Sequence, residues 1–140
     1  MIDSLSLVER IASWSHLLDL SDVPDDVNKA AKRCIIDFIG VAIAGVSCPQ
    51  SRHIYDYAKQ TYAPGFATIL GFSDRLSPVG AALINGTVGH ALDFDDTSYT
   101  GIMHGSTVVL PAALAAAEFA NADGRRFLES YVVGAEVAYA

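Results

Sequence analysis

Residues Asn85–Ser106 read NGTVGHALDFDDTSYTGIMHGS and bring together His90, His104, Asp93, Asp95, Asp96 and several hydroxyls. The chain on either side, from Pro78 to Val88 and from Thr107 to Ala122, is apolar with helical spacing. Polar groups packed this densely between two apolar helices are costly to place unless water, a ligand or hydrogen-bond partners satisfy them. The stretch predicts a helix opened by Ser77-Pro78 and running to about Asp93, an irregular loop over 94–105, and a second helix capped by Ser106 and running to Ala122. On a continuous helix Gly86, His90, Asp93 and Thr97 share one face. The recurrence of Gly80, Gly86 and Gly89 predicts the close approach of another backbone or a ligand, because each glycine costs up to about 1 kcal/mol in an exposed helix.

Outward from this centre the pattern stays helical. Leu7, Ile11, Trp14 and Leu18 form an apolar stripe, and Val27, Ala30, Ala31, Cys34, Phe38 and Ala42 form another that stops at Gly45. The second half of that helix is apolar nearly all round, which predicts a central position in a bundle, with Asp37 paired inside the packing. Gln50–Tyr62 reads as a third, weaker helix, Pro64-Gly65 breaks the chain, and ATILG at 67–71 is the one short extended piece, either half of a small hairpin or a loop. After Asp123-Gly124 a last helical pattern through Phe127, Leu128, Tyr131, Val132 and Ala135 has no stop signal. The fold class is all-α, a helical bundle with at most one extended segment near 67–71.

Composition narrows the function. Apolar residues make up 51% of the chain and charged residues 18%, with mean hydropathy +0.32. A domain of 140 residues has a large surface to cover, so these faces predict burial against more chain or a second subunit. The longest apolar run, Phe38 to Val46, is far short of the roughly 20 residues that span a bilayer, and no secretory signal pattern opens the sequence. Net charge is −7 with a pI near 4.8, and Lys29, Lys32 and Arg33 are the only basic cluster of the first half, so no stripe suits nucleic acid. Arg125 and Arg126 read as an isolated pair. Cys34 and Cys48 lack metal-type spacing and read as reduced thiols of a cytoplasmic protein.

The chemistry centres on His104, which returns after a loop flanked by Gly101 and Gly105 and precedes a helix start whose backbone N–H groups favour a carboxylate. A histidine facing Asp93 beside such a pocket is an acid/base pair able to bind or protonate a carboxylate-bearing carbanion. Other readings stay open. Asp95 and Asp96 suit turn or helix caps, and His90 suits a hydrogen-bonded core position. Asp93, Asp95, Asp96 and His104 are a possible divalent-cation set, although neither HExxH nor EF-hand spacing is present. A Ser106–His104 nucleophile pair lacks the GxSxG elbow.

The runs GHALDFDDT, HGS and VLPAALAAAE resemble the signature of the MmgE/PrpD family, which includes 2-methylcitrate dehydratases, cis-aconitate decarboxylases and iminodisuccinate epimerases. The resemblance covers essentially the whole chain, including the opening helices and ATILG. It implies that residues 1–140 are the N-terminal part of a larger helical domain. The remainder of that domain and a smaller α/β lid lie outside this sequence. It implies a homodimer acting without cofactor or metal on small di- or tricarboxylates, as a lyase or isomerase, most simply a 2-methylcitrate dehydratase-like one. Carried over by position, Asp93, Thr97 and His104 are the catalytic residues; the residue pattern itself adds His90 and Ser106 as candidates for substrate binding. The family's catalytic lysine and tyrosine come from chain absent here, so the isolated piece is expected to be inactive. Two other classes compete: a metal-dependent helical enzyme built on Asp93, Asp95 and Asp96, and a helical interaction module without catalysis.

Overall fold

A computed structural model describes residues 5–99 and 101–139. Along the chain come α1 (Leu7–Leu17), α2 (Asp25–Gly45), α3 (Pro49–Thr61), β1 (Pro64–Thr68), β2 (Arg75–Leu76), α4 (Pro78–His90), α5 (Gly105–Phe119) and α6 (Gly124–Tyr139). The class is mainly helical, as the periodicity implied. The extended piece begins earlier than ATILG and has a partner, β1 pairing antiparallel with β2 across an irregular register.

Helix α4 is the axis of the domain, lying against α2, α3, α5 and the hairpin. Its apolar residues Ala81, Ile84 and Val88 meet Ala42, Ala58, Ala67, Ile69 and Leu76 in one core. A second core joins Ala31 and Phe38 of α2 to Leu110 of α5 and Leu128, Tyr131 and Val132 of α6. Phe38, Ile84 and Leu110 are almost wholly buried, and each such side chain contributes about 1.5–3 kcal/mol of transfer free energy.

Two of the three glycines of α4 are closely approached, by side chains rather than by the backbone or ligand expected, whereas a Cβ on Gly86 would make ordinary contacts. A Cβ on Gly89 would overlap the Phe38 ring, and one on Gly80 would press on Tyr62. Polar groups secure the hairpin. Buried Asn85 accepts from Leu70 N–H at 2.8 Å and donates to the Thr68 carbonyl at 2.8 Å, acting as a substitute strand edge. Glu118 of α5 accepts from the Thr68 N–H at 2.7 Å and from its hydroxyl.

Three expectations are corrected. Helix α1 forms with a capping box between Ser6 and Glu9, yet none of its residues is buried, and Leu7 and Trp14 of its stripe stay exposed. The second half of α2 is covered on one side only. Ile36 (71% exposed), Ile39 and Ile43 face outward with Asp37 among them, because within the described residues α4, α5 and α6 occupy the opposite side. Arg125 and Arg126 are not isolated. Both bind buried Glu129, and Arg125 also pairs with Asp19, tying α6 to the segment before α2. The Arg126 hydrogen bond holds the Glu129 carboxyl below its usual range.

Candidate active site

Helix α4 stops at His90, short of the predicted Asp93. Asp93 takes a left-handed conformation, φ 51°, which a right-handed helix does not contain and which aspartate tolerates better than most residues. Asp93 and Thr97 therefore do not continue a helical face. The turn instead folds Asp93 back over the helix end, its Oδ1 3.9 Å from His90 Nε2.

The far end of the loop is clamped to α5. Asp96 Oδ1 accepts from the Ser106 N–H at 3.0 Å and Oδ2 accepts from its hydroxyl at 2.7 Å. The Ser106 oxygen is in turn 2.9 Å from the Tyr131 hydroxyl on α6. The N-cap position of α5 is His104 rather than the predicted Ser106, which lies within the first turn; Asp96 satisfies an N–H of that turn from outside the helix, so a carboxylate of the protein itself sits at this helix start. Ser106, expected to offer donors to a substrate, is buried with both its N–H and its hydroxyl committed, and it does not contact His104 as a nucleophile would. Burial raises the Tyr131 phenol above its ordinary range. Tyr139, lying over Gly105, shifts the same way through burial first and the charge of Asp96 second.

Between these two anchors the imidazoles meet. The rings of His90 and His104 lie 4.7 Å apart, edge to face. His104 Nε2 lies 3.7 Å from Asp93 Oδ1, so the expected histidine–aspartate pair is formed. Thr97 Oγ1 lies 3.3 Å from His104 Nδ1, on the opposite edge of that ring. Asp95 completes the group with a side chain of 0% exposure, its Oδ1 3.0 Å from His90 Nδ1. The Asp93 side chain is 78% exposed, so the cluster is buried at Asp95 and open at Asp93. His104 is mostly covered, and His90 is half open.

Asp93, Thr97, His104 and His90 thus converge, whereas Ser106 belongs to the neighbouring structural chain. Asp95 was not singled out by spacing, because its position beyond a helix end leaves no periodicity to read. The proposed metal set is rearranged: Asp96 points to Ser106, and His90 takes its place. Donor atoms of His90, Asp93, Asp95 and His104 lie within 4.8 Å of one another. That spread exceeds the roughly 3.4 Å between ligands that zinc bond lengths near 2.1 Å give in a tetrahedron. Hydrogen bonds already engage His90 Nδ1 with Asp95 and His104 Nδ1 with Thr97. Two imidazoles beside one open carboxylate are suited to moving protons at a negatively charged substrate.

Among the described residues, no single helix is long and apolar enough to cross a membrane. A sequence profile described as the MmgE/PrpD N-terminal domain matches residues 9–140. The chain is similar to a cis-aconitate decarboxylase of Mus musculus, 32% identical over 94% of this chain and 28% of that protein. It is also similar to the cis-aconitate decarboxylases of Homo sapiens (34% identical, 81% of this chain, 24% of that protein) and Aspergillus terreus (31%, 85%, 24%). It spans about a quarter of the length of these relatives. With the profile covering nearly every residue and the motif's histidine and aspartates gathered at one helix end, the chain belongs to the MmgE/PrpD family.

Proposed function

We propose that this chain supplies part of the active site of a cofactor-independent lyase acting on a small di- or tricarboxylate. The carrying observation is His104 Nε2 at 3.7 Å from Asp93 Oδ1, at an open cluster in a chain of this family. Loss of carbon dioxide or water next to a carboxylate passes through developing negative charge on carbon, which a correctly placed imidazolium protonates or neutralises. His104 is the acid/base, Asp93 orients it or a substrate hydroxyl, Thr97 adds a hydrogen bond, and His90 helps to hold a substrate carboxylate. The names of the relatives favour decarboxylation of a cis-aconitate-like acid over dehydration of 2-methylcitrate. Ser106 acts by fixing the loop.

The same reading includes a homodimer, supported by the open apolar face of Ile36, Ile39 and Ile43, and a cytoplasmic location, supported by free Cys34 and Cys48. The test is a turnover screen of the longer polypeptide carrying this domain against cis-aconitate, citrate, 2-methylcitrate and related acids, with and without chelator. The expected result is carbon dioxide release or dehydration of one of them, unchanged by chelator. No turnover of any polycarboxylate, or complete loss in chelator, contradicts the proposal.

A further inference from the structure

Asp95 carries more of the site than the acid/base pair requires. A carboxylate with no exposed surface costs several kcal/mol unless charged or polar partners compensate it. Its partners here are two imidazoles. Oδ1 and Oδ2 lie 3.0 and 3.2 Å from His90 Nδ1, and Oδ2 lies 3.4 Å from His104 Nδ1. The same ring nitrogen of both histidines therefore lies beside one buried carboxylate, hydrogen-bonded to it in His90 and within ion-pair distance of it in His104, whose Nδ1 hydrogen bond is with Thr97. On the opposite edges both Nε2 atoms face one oxygen of Asp93, at 3.9 Å from His90 and 3.7 Å from His104.

The contacts of Nδ1 with buried Asp95 are the shorter ones, whereas Nε2 of His90 and of His104 lies 3.9 and 3.7 Å from Asp93, beyond hydrogen-bond reach of a carboxylate that is open to water. Beside the buried carboxylate a lone pair is repelled and an N–H attracted, so each Nδ1 carries the proton, that of His104 hydrogen-bonding to the Thr97 oxygen. Both Nε2 lone pairs are left on the open side of the cluster, where water screens them from Asp93. In water an isolated neutral histidine prefers the other tautomer, so the arrangement has to be imposed.

We propose that Asp95 is a positioning residue that locks His90 and His104 together in the Nδ1–H form, so that the site presents two matched Nε2 bases beside Asp93 rather than one. The tautomer assignment rests on geometry alone, and its catalytic consequence rests on the acid/base reading above. His90 becomes the second proton-handling group, available to hold a proton while His104 exchanges one with substrate. The arrangement is the one in which a carboxylate behind an imidazole fixes the tautomer and orientation of the ring.

The test uses the longer polypeptide with ¹⁵N-labelled histidine and has two arms. In the wild-type protein, at a pH where the rings are neutral, the ¹⁵N shifts should show His90 and His104 both protonated at Nδ1. Either ring in the Nε2–H form overturns the proposal, and this arm needs no variant to fold. In Asp95→Asn the amide keeps the shape but turns an NH₂ towards one Nδ1, so one ring should invert its tautomer. The accompanying kcat should fall on the order of 10²–10⁴-fold with KM little changed, and circular dichroism should match the wild type. Retained tautomers and retained kcat in Asp95→Asn overturn it. Absence of wild-type turnover on any acid defeats the function reading while leaving the tautomer result to stand by itself.

Discussion

Asp95 and Asp96 are adjacent identical residues doing unlike jobs. One lies beside the two histidines, and the other holds the first turn of α5 through Ser106, whose hydroxyl continues to Tyr131. Ser106→Ala removes the donor to Asp96 and the partner of a buried phenol together. A buried group left unsatisfied costs about 1–3 kcal/mol, so the urea midpoint should fall by the corresponding amount; an unchanged midpoint would show that the chain from Asp96 to Tyr131 adds no stability. The sequence singled out His104 and Asp93, because glycines flanking a polar loop between apolar helices leave few other places for the pair to meet. It left Asp95 and Asp96 interchangeable. Only the left-handed turn at Asp93 decides which of them points back to α4 and which forward to α5.

At the scale of elements, α2 and α4 cross with almost no space between backbones. A Cβ on Gly45 would overlap the Val88 carbonyl oxygen, whereas one on Gly40 of the same helix meets nothing within 4 Å. Two substitutions in one helix should thus have opposite signs. Gly45→Ala should lower stability by about 1–3 kcal/mol through overpacking, and Gly40→Ala should raise it by up to about 1 kcal/mol through helix propensity. Denaturant titration of both variants checks the pair, and equal shifts would contradict the close crossing. Helix starts were legible where proline and small polar residues mark them, as at Ser77-Pro78. The open side of α2 was not, since an apolar surface reads alike whether chain covers it or not. Nor were the second strand of the hairpin and its anchoring, in which Asn85 of α4 bridges to Thr68 and Leu70 from a distant part of the chain.

For the whole chain, the net charge of −7 means that the acid-binding site proposed above would draw its substrate by local groups rather than by the overall charge of these residues. Charge also sets an alkaline limit on the fold. Burial keeps the phenols of Tyr131 and Tyr139 protonated above their ordinary range. Above pH about 10 the unfolded chain ionises these phenols while the native one holds its protons, so stability should be level below that pH and fall above it. Tyr131→Phe should reduce the fall, as measured by denaturant midpoints between pH about 8 and 11. The central proposal is that an imidazole held against a carboxylate at the end of α4 moves protons on a polycarboxylate. The most direct measurement is kcat of the longer polypeptide with His104→Ala on the best acid from the turnover screen. A fall of at least about 100-fold with folding intact is the predicted result, and near-normal turnover would contradict the account.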